Sequence, residues 1–240
     1  MREAGPLFPK RSIWFAAAMA GLLLLLPLAV RLDGKVAGGW QAMLGRLHPL
    51  MVHLPIGLVA VLPVLEILGR RRAALHSGQS SGLQEAAGFL LPVAAFCSVA
   101  AALLGLLLAH GGGFTGAAVS RHMWSGVWVA VALLACLLVR PLWVNGRGTT
   151  WHVALYPWLL GATVLLLAWA SHQGGSLVYG PRYLTEYLPQ PLRRWPVLEG
   201  DGNEHSESQH QFIRPCEADS IPTAAEEVVV VAMEVEECIR

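Results

Sequence analysis

The sequence predicts an all-α membrane protein: a helical bundle with a four-helix core, an N-terminal anchor helix before it and a disordered C-terminal tail after it. Three observations carry that expectation. Hydrophobic residues make up 55% of the chain and charged residues only 14%, against about 25% charged in an ordinary soluble domain. The apolar residues fall into long runs instead of alternating with polar ones. The apolar mass lies between Ile13 and Ser171, and beyond it the chain turns polar and then acidic.

A helix needs about 20 apolar residues to cross the hydrocarbon core. Five segments qualify: Ile13 to Val30, Leu50 to Leu68, Ala86 to Ala109, His122 to Val139, and Val153 to Ser171. The first follows Lys10 and Arg11 and has the charge pattern of a signal peptide. Its long apolar run and the lack of a good A-x-A cleavage site favour a retained anchor. Pro49 suits a helix first turn. Pro55 and Pro63 fall inside the second span, where each removes a backbone hydrogen bond and can kink the helix. Residues 1–31 thus form the anchor, residues 44–196 the membrane domain with a surface segment, and residues 197–240 the tail.

The surface segment, from His172 to Pro196, is rich in Gly, Tyr, Pro and Arg. Tyr179, Tyr183, Tyr187 and Trp195 are the amphipathic aromatics expected at a bilayer interface. The tail after Val197 has the composition of a disordered chain.

Loop charge sets the orientation. Arg2, Lys10 and Arg11 precede the first span, Arg70, Arg71 and Arg72 follow the second, and Arg140 and Arg147 follow the fourth. The Gly-rich loop after the third span holds no charge until Arg121. Arg31, Lys35 and Arg46 in the first outer loop run against the trend. The balance places the N-terminus in the cytoplasm of a bacterium and the tail in the periplasm, across the inner membrane. A net charge of +1 offers nothing to a nucleic-acid partner; the one partner composition implies is the lipid bilayer.

That topology gathers five of the nine histidines at one level. His48 and His53 open the second span, His110 ends the third, His122 opens the fourth and His172 closes the fifth. Histidine tolerates the interface singly, but five at one level from four helices form a candidate site, because ionisable groups at membrane depth are costly and usually functional. Imidazole is a common ligand for haem iron, copper and zinc. His53 with His122 or His172 suits the axial positions of one haem b. Three or four of the same nitrogens suit a bare transition metal. Gly57 and Gly126 lie one turn after His53 and His122, and Gly161 and Ala168 share a stripe with His172. Such small residues admit either a flat ligand or a close helix contact.

Glu66 is the one carboxylate within the spans, and Arg70 one turn on is its expected structural partner. Cys97 and Cys136 read as small core hydrophobes, and no C-x-x-C occurs for a metal or redox site. No phosphate loop, nucleophile elbow or H-E-x-x-H points to an enzyme. A transporter is disfavoured by the lack of a charged pair or symmetric repeat marking a mid-membrane path.

The second span opens R-L-H-P-L-M-V-H-L-P-I-G, from Arg46 to Gly57. The fifth ends S-H-Q-G-G-S-L-V-Y-G, from Ser171 to Gly180, and continues P-R-Y-L-T-E-Y-L-P-Q-P-L. Over His48 to Leu192 the chain resembles an uncharacterised family of bacterial predicted membrane proteins, a domain of unknown function with an H-P-x-x-V-H-x-P-I motif and a later H-x-G-G-x-L-V-Y-G motif. Members are often fused to, or encoded beside, c-type cytochrome domains. The resemblance therefore implies a place near periplasmic electron transfer, with a c-type cytochrome as partner, and it carries over His48, His53 and His172. His110 and His122 rest on topology alone. This chain lacks the C-x-x-C-H of a fused cytochrome. Two readings stay open: a module holding haem b or a transition metal on its outer histidines, and a non-redox scaffold or anchor that docks a periplasmic partner.

Overall fold

A computed structural model describes residues 10–30, 32, 34–36, 39–75, 82–145, 150–180, 183–184 and 189. Among these residues six helices run in chain order: α1 Lys10–Ala29, α2 Trp40–Gly45, α3 His48–Leu75, α4 Gly82–Gly111, α5 Ala117–Asn145 and α6 Thr150–Tyr179. Helices α3 and α4 form one antiparallel hairpin, and α5 and α6 form another. Contacts of α4 with α5 and of α3 with α6 close the four into a bundle, with α1 against α5 and, more lightly, α4. The all-α expectation holds, and the four-helix core with its additional N-terminal helix is present. The 197–240 tail lies outside the described residues.

Among the described residues four helical segments are long and apolar enough to cross a membrane: Trp40–Leu75, Gly82–Gly111, Ala117–Asn145 and Val153–Tyr179. This is a membrane protein by the character of both its faces. Phe89, Phe96, Trp158 and Leu165 are each at least 70% exposed around the perimeter, where water would penalise them and lipid does not. The interior is small and close-packed, with Val59, Leu62, Ala87, Leu91, Ala94, Ala130, Leu133, Cys136, Tyr156 and Leu160 buried. Alanines there let backbones approach, the packing mode of helices that gain nothing from hiding apolar surface.

The helices extend beyond the apolar runs. The four core helices have 28 to 30 residues, roughly 42–45 Å at 1.5 Å per residue, against a hydrocarbon core of about 30 Å. Their ends therefore reach headgroup depth. Helix α3 continues unbroken through Pro55 and Pro63, as α4, α5 and α6 do through Pro92, Pro141 and Pro157.

Two local expectations are corrected. Residues 40–45 form the short helix α2, and a Cβ at Gly45 would stand 2.6 Å from the Leu108 backbone, so α2 rests directly on α4. The surface segment expected from His172 begins instead as helix: α6 runs to Tyr179 and stops where Gly180 takes φ +92°. Nothing between Ser171 and Gly180 forbids helix, and the two glycines at 174 and 175 are used for contacts.

One end of the bundle gathers the starts of α3 and α5 and the finishes of α4 and α6. The extended stretch after α1 joins it there, pairing Val36 with Gly112 in an isolated bridge. The other end carries Arg70, Arg71, Arg72 and Arg140. We call these the histidine end and the arginine end.

Candidate functional site

All five candidate histidines lie at the histidine end, and the structure brings two of them together. His48, the first residue of α3, points across its hairpin, and its Nδ1 donates to the Ala101 carbonyl of α4 at 2.9 Å. His122, near the start of α5, does the same to the Ala170 carbonyl of α6 at 3.1 Å. A carbonyl only accepts, so each ring carries its proton on Nδ1 and leaves a lone pair on Nε2. Neither Nε2 has a hydrogen-bond partner among the described residues. The two rings meet edge to face, with centroids 6.1 Å apart and planes at 74°.

Each ring is seated on a glycine. A Cβ at Gly105 would stand 2.9 Å from His48 Cε1, and one at Gly174 would stand 2.8 Å from His122 Cε1. Any larger residue would push the imidazole away from its carbonyl. Gly174 belongs to the H-x-G-G-x-L-V-Y-G stretch. Its neighbour Gly175 makes room for Tyr183, which folds back over α6.

The other three histidines stand apart from this pair. His53 is exposed and its Nδ1 returns to the Pro49 carbonyl of its own helix at 2.6 Å; the expected pairing of His53 with His122 or His172 is not formed, because it leaves α3 on the outward side. His172 stacks on Tyr183 with centroids 5.7 Å apart, and the Tyr183 hydroxyl lies 3.5 Å from its Nδ1. Burial against α6 pushes the Tyr183 phenol up from its ordinary value. His110, at the last turn of α4, has a buried Nδ1 without a partner. Among the described residues no three His, Cys, Asp or Glu side chains converge as a metal-binding group, so the three- or four-nitrogen site that suits a bare zinc is not assembled.

The small residues flagged beside the histidines have a different role from the one expected. A Cβ at Gly57, Gly126 or Gly161 would meet nothing within 4 Å. Glycines that do make close contacts include Gly45, Gly88, Gly105 and Gly174, each against another helix.

The arginine end holds a second polar layer. Glu66 is 3% exposed, and its partner is Arg140, whose Nε donates to Oε1 at 2.5 Å. The expected Glu66–Arg70 pair is replaced because Glu66 faces the bundle axis, whereas Arg70 reaches sideways. Arg70 donates to the Trp143 carbonyl at 2.7 Å and lies over the Trp143 ring at 3.8 Å. Tyr156 of α6 donates to the same Glu66 Oε1 at 2.9 Å. Arg140 also donates to the Gln84 carbonyl of α4 at 2.6 Å, its guanidinium resting in the notch left by Gly88. Side chains or carbonyls of all four core helices thus converge on one ion pair, and Glu66 Oε2 is buried without a partner. Sequence reasoning missed Tyr156 and placed Arg140 in a loop. The signal available was the apolar continuation P-L-W-V after Arg140, which keeps the arginine inside the helix.

The structural ion pair expected at Glu66 is therefore present, with Arg140 in place of Arg70. Compared with known proteins, the chain matches no family model, no curated protein and no solved structure.

Proposed function

We propose that this membrane protein holds one redox metal between the imidazoles of His48 and His122, as the iron of a haem b or as a copper ion, and serves electron transfer at the outer face of a bacterial inner membrane. The observation that carries this reading is the matched pair: two rings with Nδ1 tied to backbone carbonyls, Nε2 free, and centroids 6.1 Å apart. A carbonyl on the far nitrogen is the second-shell arrangement that fixes the tautomer and raises ligand basicity. Two nitrogens are what haem iron asks of a protein for closed axial coordination, and imidazole also suits copper. A metal there supplies a one-electron couple; the chain's own residues orient the rings and exclude water.

The arginine-rich end favours the cytoplasmic side, which supports a periplasmic histidine end. The family resemblance of the two histidine motifs adds a c-type cytochrome as the electron-transfer partner. The test is the absorption spectrum of the detergent-purified full chain, taken with metal analysis. A Soret band, or copper near one equivalent per chain, supports the reading; a colourless, metal-free preparation overturns it. A second reading, a scaffold that docks a periplasmic partner, is favoured by the close seating of both rings on Gly105 and Gly174. It predicts that histidine replacements change melting and leave no spectral or metal signal to lose.

A further inference from the structure

The two hairpins repeat one pattern. In each, a histidine at the start of the first helix donates Nδ1 to an alanine carbonyl of the second helix and rests on the glycine one turn further on. The residues are His48, Ala101 and Gly105 in one, and His122, Ala170 and Gly174 in the other. Helices α3 and α5 run in the same direction, and so do α4 and α6. An operation that superposes one hairpin on the other is therefore a rotation about an axis parallel to the helices.

The register extends to several core positions, while Ala130 falls opposite the exposed Ile56. The shift that carries His48 onto His122 carries Val59 onto Leu133, Leu62 onto Cys136 and Glu66 onto Arg140. The first four of those six residues are all 0% exposed. The shift that carries Ala101 onto Ala170 carries Ala87 onto Tyr156 and Leu91 onto Leu160, all of them buried. Two of the side-chain pairs that cross between hairpins, His48 with His122 and Glu66 with Arg140, join positions that this operation exchanges; Tyr156 with Glu66 and Arg70 with Trp143 do not. Only a twofold axis brings exchanged positions face to face.

We infer that α3–α4 and α5–α6 are two copies of one helical hairpin about a pseudo-twofold axis along the bundle, passing through the imidazole pair at one end and the carboxylate–guanidinium pair at the other. Parallel repeats about an axis along the membrane normal are an established way of building membrane domains. The axis also narrows the ligand, in so far as the metal reading above holds. A haem iron on it would receive two equivalent imidazoles, one from each hairpin, and would keep no open position. That suits electron transfer and disfavours a catalytic metal with one open position. At the arginine end the exchanged positions carry opposite charges, and only one side has a tyrosine: Tyr156 beside Glu66, against Ala87 near Arg140.

The test is a charge swap in the full-length, detergent-purified chain, read as folded fraction and melting temperature. Glu66→Arg and Arg140→Glu alone each place like charges on the axis and lower the folding equilibrium roughly a hundredfold or more, as an uncompensated buried charge does. Glu66→Arg with Arg140→Glu together recovers most of that loss, because Val153 stands where Gln84 does and offers its carbonyl to the relocated arginine. Adding Ala87→Tyr and Tyr156→Ala moves the phenol to the exchanged site, beside the relocated carboxylate, and raises the melting temperature above that of the double swap. A double swap no better than either single variant overturns the axis, and so does a quadruple variant that melts below the double. A metal-free wild-type preparation defeats the metal reading and leaves this series as decisive as before.

Discussion

The histidine end and the arginine end address the same problem, polar side chains inside an apolar bundle, by opposite means. At the arginine end two full charges and a phenol converge on a single carboxylate oxygen, with Arg140 reaching Glu66 at 2.5 Å and Tyr156 at 2.9 Å. Both charged groups and the phenol are engaged within the protein there, while Trp143 Nε1 and Glu66 Oε2 stay buried without a partner. At the histidine end the paired imidazoles of His48 and His122 are each satisfied on one nitrogen by a backbone carbonyl and leave the other nitrogen free. The first arrangement commits its two charges to holding helices together. The second keeps hydrogen-bonding capacity in reserve, which is why it is the proposed ligand site.

That contrast orders the expected effects of substitution. Arg140→Leu strands Glu66 in the interior, and thermal unfolding in detergent is expected to show a loss of about 3–5 kcal/mol. Tyr156→Phe removes one hydrogen bond to a charged group and is expected to cost about 1.5–3 kcal/mol in the same assay. At the other end, Gly174→Val overpacks the seat of the His122 ring, a cost of about 1–3 kcal/mol, and lowers metal content along with stability. His48→Ala loses a neutral hydrogen bond and changes stability by only about 1 kcal/mol, while removing the metal signal entirely. The smallest effect is expected at Gly161→Ala, where a Cβ meets nothing within 4 Å and better helix propensity stabilises by up to about 1 kcal/mol. If His48→Ala destabilised as much as Arg140→Leu, the two ends would no longer differ in kind.

The apolar runs made the helices legible, because a membrane helix announces itself by length and hydropathy alone. Their ends were harder to read. Arg140 looks like a loop residue until the helix is seen to continue to Asn145, and His172 looks like the start of a surface segment because two glycines follow it. In both cases a contact with another helix decided the matter: the carboxylate of Glu66 for the arginine, the ring of His122 for Gly174. The level of the five histidines was readable from topology, but which of them meet was not. His53 and His48 are five residues apart on one helix, and that rotation alone turns one outward and the other onto α4. The repeat escaped a reading of single spans because it lies in pairs of contacts and in burial; at most of the positions compared the residue types differ.

The most direct measurement is metal and haem content per chain in the wild type and in three purified variants, His48→Ala, His122→Ala and His53→Ala. One equivalent of haem iron or copper in the wild type, lost on replacing His48 or His122 and kept on replacing His53, is the expected result. Equal loss in all three, or no metal in any preparation, would contradict a site built on the His48–His122 pair.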